Sequence, residues 1–203
     1  MPYDNIQPPF TLKFWDMSKS ELREYFKWFM NVLPSRIAEL ARAVTETPGL
    51  EHWKPNNTAD SLNSLGDWFA TQVATRKRTA EELEAINNAP PFPIEASDRE
   101  LTIRTFSLAM DVGMYFSQVM LANHPSLCWE QSLSSKNSIN YGQPVVVWFG
   151  QVDMNPIRLI VTLAYGISRG KRTGNGLREL YDIWSENVGP KPKRETRKRT
   201  GSN

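Results

Sequence analysis

The chain has 203 residues, of which 40% are hydrophobic and 11% aromatic, a composition that excludes a disordered or low-complexity polypeptide and suffices to bury a core. One cysteine, Cys128, rules out an internal disulfide, and two histidines, His52 and His124, rule out a multi-histidine metal site. The net charge of +2 is unevenly spread: residues 189–203 hold six Lys or Arg against one Glu, a net of +5, which leaves −3 on residues 1–188.

This asymmetry predicts one globular domain over 1–188 and a disordered basic tail over 189–203. The longest apolar runs, "VVVWFG" and "IRLIVTLAYGI", are far shorter than the roughly 18 residues of a membrane span. The start, "MPYDNIQPPF", lacks both the charged and the apolar part of a secretory signal. With the single cysteine, these features predict a soluble cytoplasmic protein with no membrane association.

After the extended, proline-bearing start, Ser18 and Glu21 have capping-box spacing, and a helix is expected from Ser18. Leu22, Phe26, Phe29 and Leu33 form one apolar stripe, with Tyr25, Trp28 and Val32 beside it. Pro34 is expected to end or kink this helix and "SRIAELARAVTET" to start another, giving a helical hairpin. "TADSLNSLGDWFATQVATRKR" reads as a third helix and Thr79 with Glu82 as the cap of a short one through about Asn87, followed by the proline-rich linker "NAPPFPIEAS". Ser97 and Glu100 suggest another capping box, opening a helix over about 97–123 that would reach about 40 Å and act as the central element.

Beyond Pro125 the pattern changes to strands. "LCWEQSL" and "QPVVVWFG" carry the β-branched and aromatic residues of an antiparallel hairpin over about 127–150, packed on the long helix. Asn155 and Pro156 mark the N-cap and first residue of a further helix, and Leu177, Leu180, Tyr181 and Trp184 the inward stripe of the last. The fold class is therefore α+β, mainly helical, with six or seven helices around the 97–123 helix and a small β-hairpin.

Between the last two helices, "GISRGKRTGNG" has the composition of a phosphate-binding loop. It departs from that pattern, with three residues between Gly166 and Gly170 and with Arg172 where a metal-binding hydroxyl belongs. A helix-to-helix connection with Gly170 as left-handed cap and Lys171 and Arg172 at the negative end of the helix dipole accounts for it. His124 and Cys128 are separated by Pro125, and the cysteine reads as structural.

Arg104, Ser107, Asp111 and Gln118 share one face of the 97–123 helix, with Tyr115 nearby. Three readings are open: a solvated helix face, a buried hydrogen-bond network around Asp111 and Tyr115, or a polar cleft. The N-terminal aromatics, Trp15, Tyr25 and Trp28 among them, exceed what one side of a helix can bury, so either the extended start folds over the helix or the surface meets a protein partner. Lys171 and Arg172, with Lys193, Arg194, Arg197, Lys198 and Arg199 of the tail, are the candidate anion or nucleic-acid contacts.

No catalytic constellation, metal site or cofactor motif emerges. The leading functional expectation is a protein-interaction module of accessory, regulatory or toxin-neutralising type, of bacterial or phage origin, with an unidentified protein partner. Association with nucleic acid through the tail is the alternative, and an enzyme using the polar face around Asp111 is the third reading.

Overall fold

The computed structural model describes residues 3–87, 97–150 and 152–189. The architecture is α+β and mainly helical. In chain order the elements are α1 (Lys19–Thr45), α2 (Ser61–Gln72), β1 (Thr75–Lys77), α3 (Ala80–Asn87), β2 (Arg99–Leu101), α4 (Ile103–Asn123), β3 (Cys128–Gln131), β4 (Pro144–Phe149), β5 (Val152–Met154), α5 (Pro156–Ser168) and α6 (Gly176–Glu186).

The capping box at Ser18 forms as expected: the Glu21 amide donates to the Ser18 hydroxyl (3.3 Å) and the Ser18 amide to the Glu21 carboxylate (2.7 Å). The expected hairpin does not form. α1 runs for 27 residues straight through Pro34. Pro34 lies on the exposed side, so the missing amide and the ring both face solvent. On the opposite side Leu22, Tyr25, Phe29, Leu33, Arg36, Leu40 and Val44 are all buried, a stripe unbroken across the proline. Packing of that stripe outweighs the local cost of one absent hydrogen bond.

Two further expectations give way nearby. The third helix stops at Gln72, and Thr75–Lys77 instead pairs antiparallel with Arg99–Leu101, so Ser97 and Glu100 do not cap a helix. Arg76 and Arg78 draw the Glu100 carboxylate into ion pairs, that of Arg78 at 2.5 Å. Thr102 takes over as N-cap, its hydroxyl accepting from the Thr105 amide (3.2 Å). α4 is accordingly 21 residues long and shorter than α1, yet it is central in packing terms: 14 of its 21 residues are buried, so it is covered on nearly all sides. At Gly113 a side chain would bring a Cβ to 2.9 Å from Ile157 Cδ1 and 3.0 Å from the Pro156 carbonyl, so the glycine permits the close approach of α4 and α5.

The expected β-hairpin is present as β3 and β4, paired with Trp129 opposite Val146, and β5 extends it to a three-stranded antiparallel sheet of order β3-β4-β5. The pairing of β4 with β5 is irregular between Val146 and Phe149, where Trp148 adopts φ +86°. Two buried clusters make up the core. One gathers α2, α4, the sheet and the last two helices around Phe69, Tyr115, Phe116 and Phe149. The other gathers the N-terminal segment and the first half of α1 around Phe14, Tyr25, Phe29 and Tyr141. Ile37 and Trp129 pack against both.

Candidate functional site

Asp111 projects from α4 into a fully buried position. Arg36, from the apolar stripe of α1, meets it in a two-point fork: Nε donates to Oδ1 at 2.9 Å and Nη2 to Oδ2 at 2.7 Å. The hydroxyl of Tyr3 donates to the same carboxylate, and Arg36 also donates to the Asp4 carbonyl (2.7 Å). Burial pushes the Asp111 carboxyl up from the ordinary aspartate value, against the opposing pull of Arg36 and Tyr3. Burial alone would lower Arg36, but the bonds and negative charge of Asp111 hold its guanidinium above the usual value. The Tyr3 phenol is pushed up by burial and then by the adjacent Asp111 charge.

The candidate polar face is thereby split. The N-terminal segment joins three of its members: the Ile6 amide donates to the Ser107 hydroxyl (3.0 Å), the Tyr3 ring lies 6.0 Å from the Arg104 guanidinium, and Tyr3 reaches Asp111. Tyr115 belongs to a separate network, its hydroxyl sharing a 2.6 Å bond with Ser61 and accepting from the Asn57 amide (3.1 Å), while its ring packs edge-on against Trp53. Gln118 is half-buried and joins neither set among the described residues. Ser107, Asp111 and Tyr115 are buried, so the solvated-face reading fails, and the buried-network reading describes what is present. Arg104 alone of the five is exposed, bonded to Gln72 (3.0 Å).

Two participants, Tyr3 and Arg36, were not singled out from the sequence. Arg36 carried a signal: it is the one charged residue among the inward positions Leu33, Arg36 and Leu40, where an ion needs a buried partner. Tyr3 carried none, because an extended segment has no periodicity to place it.

The N-terminal aromatics are largely used internally. Tyr25 is buried, with Phe14 edge-on at 5.1 Å, Phe10 at 6.2 Å and Trp28 at 5.5 Å, so the extended start folds over α1. Trp28 is half-buried, and Trp15 is 51% exposed, its indole donating to the Lys136 carbonyl (3.0 Å).

The glycine-rich stretch joins α5 to α6, helix to helix. Gly170 has φ +65°, its amide donates to the Ile167 carbonyl (2.9 Å), and the Lys171 amide donates to the Gly166 carbonyl (2.9 Å), the paired bonds of a Schellman cap. The loop amides are thus turned toward the end of α5, not toward an anion. A Cβ on Gly174 would come within 2.6 Å of the Asp67 backbone on α2, so this glycine is needed for contact between the loop and that helix. Lys171 and Arg172 are exposed, with Glu179 3.6 Å from Arg172.

Beside this connection residues of α5 and α6 line an open groove of about 330 Å³. Leu159, Leu163, Leu180 and Ile183 contribute its apolar lining, and Arg169, Lys171, Arg172 and Glu179 its charged lining. Ile183 is 56% exposed. A shallower depression on the other flank of α5 shares Leu159 and Thr162 and carries the exposed Ile139.

Cys128 is half-buried and accepts the Trp148 indole N–H at 3.1 Å, and His124 pairs with Ser185 (3.0 Å), so the two side chains serve different neighbours. Among the described residues no group of His, Cys, Asp and Glu could hold a metal ion, and no helix is long and apolar enough to cross a membrane. The tail residues Lys193, Arg194, Arg197, Lys198 and Arg199, and the proline-rich linker, lie outside the described residues. No family model, curated protein or solved structure matches the chain.

Proposed function

We propose that the protein is an interaction module of accessory or regulatory type that receives a protein partner in the groove between α5 and α6. The observation that supports this reading is the pairing of an open apolar lining, with Ile183 56% exposed, and a charged lining in which Arg169, Lys171 and Arg172 outnumber the one carboxylate, Glu179. Such a surface suits a partner segment that presents an apolar face flanked by acidic side chains. The Asp111 carboxylate, already engaged by Arg36 and Tyr3, supplies no free acid or base for a reaction.

The test is affinity purification from the native host with the full chain and with Ile183→Asp, a change at an exposed position that leaves the melting temperature within about 1 °C. A partner recovered with the original chain and depleted at least tenfold with Ile183→Asp supports the reading. Equal recovery with both overturns it.

Nucleic-acid association through residues 189–203 is a second reading, supported by the net +5 of that segment together with exposed Lys171 and Arg172. Salt-sensitive retention on nucleic acid that disappears when residues 189–203 are removed would favour it.

A further inference from the structure

Residues 3–6 are held against the body of the protein almost as a bound peptide is held. Four hydrogen bonds fix them, and each uses a side chain of α1 or α4: Asp111 accepts from the Tyr3 hydroxyl, Arg36 donates to the Asp4 carbonyl, Glu39 accepts from the Asp4 amide (2.9 Å) and Ser107 accepts from the Ile6 amide; Arg36 also lies 3.9 Å from the Asp4 carboxylate. Among the described residues no backbone-to-backbone hydrogen bond ties residues 3–9 to any helix or strand. Two guanidinium groups lie near the Tyr3 ring, Arg36 at 5.6 Å and Arg104 at 6.0 Å from its centroid. The path back to α1 runs through Pro8 and Pro9 and through Leu12 at φ +56°, a left-handed conformation that a leucine adopts only under constraint.

We propose that the polar groove between α1 and α4 is a recognition site for an extended, tyrosine-bearing peptide segment, occupied here by the chain's own residues 3–6 as a tethered copy. The site has the components such recognition requires. A buried carboxylate, itself oriented by a two-point arginine, accepts the phenolic hydrogen. The two cations lie within cation–π range of the ring, while Glu39 and Ser107 read main-chain amides whatever side chains lie between. Tethering gives the resident segment an effective concentration on the order of millimolar, so a competing segment is admitted only when the resident one is weakened or the competitor is abundant. The site is remote in kind from the α5–α6 groove, sharing no lining residue with it, so either proposal can fail alone.

The experiment uses the full chain and its Tyr3→Ala variant, titrated against a fluorescein-labelled peptide of residues 3–10, "YDNIQPPF", and the same peptide with Phe in place of its Tyr. The expected result is binding to Tyr3→Ala at least tenfold tighter than to the original chain, weakened about tenfold when the peptide lacks its hydroxyl. No binding to a folded Tyr3→Ala chain, or equal binding of the two peptides, overturns the proposal. Hydrogen exchange of the original chain gives an independent arm: Asp4 and Ile6 amides that exchange well before the α4 core support a releasable segment, and amides that exchange only with global unfolding, or a Tyr3→Ala chain that does not fold, overturn it.

Discussion

Arg36 and Asp111 lie 75 positions apart in the chain and come together with 9% and 0% of their side chains exposed. At that burial the pair matters most when it is broken, because the remaining ion has neither water nor a counter-charge. Asp111→Asn or Arg36→Met is expected to cost about 3–5 kcal/mol in urea unfolding, whereas the double change Arg36→Met with Asp111→Leu is expected to cost clearly less than the sum. Tyr3 adds a pH dependence. Its phenol is raised in the folded state by burial and by Asp111, so its contribution is complete below the ordinary value near 10 and is lost as pH rises above it. Stability measured from pH 9 to 11 should fall more steeply for the original chain than for Tyr3→Phe, by up to about 1.4 kcal/mol per pH unit. Asp111 was legible in the sequence as a polar residue on a helical face, but its environment was not. Whether such a face is wet or buried depends on what covers it, and the covering residues come from α1 and from a segment without periodicity.

At the scale of elements, most of the local capping chemistry legible in the sequence is present. The boxes at Ser18 with Glu21 and Thr79 with Glu82, the Asn155–Pro156 start and the Gly170 cap all form. The pair Ser97 and Glu100 fails because Arg76 of β1 and Arg78 just beyond that strand hold the glutamate, and the break at Pro34 fails because the buried stripe continues on the far side of the helix. The glycines of "GISRGKRTGNG" show the same division. Gly170 could be assigned from its neighbours, whereas Gly174 answers to α2, more than 100 positions earlier. Gly174→Ala is expected to cost about 2–4 kcal/mol, since a Cβ 2.6 Å from backbone cannot be relieved by a rotamer change. Gly170→Ala, strained only by its φ of +65°, should cost about 1 kcal/mol in the same thermal melt.

For the molecule as a whole, the class and the order of most elements were legible because hydrophobic periodicity is a local property. The groove between α5 and α6 was not, since it depends on how two helices with ordinary inward stripes meet in three dimensions. The continuity of α1 has a consequence at this scale. Its N-terminal half contributes Leu22, Tyr25, Phe29 and Leu33 to one cluster and its C-terminal half Leu40 and Val44 to the other, so a single continuous helix is shared by two cores. Neither cluster can melt without fraying the same helix, and the energetic coupling between them should suppress partly unfolded forms. Tryptophan fluorescence, which samples both clusters through Trp28 and Trp68, and far-ultraviolet circular dichroism are then expected to give superimposable unfolding curves. α4 binds the clusters a second time, with Met110 and Met114 in one and Leu108 and Val112 in the other, so a single cooperative transition is the expected outcome.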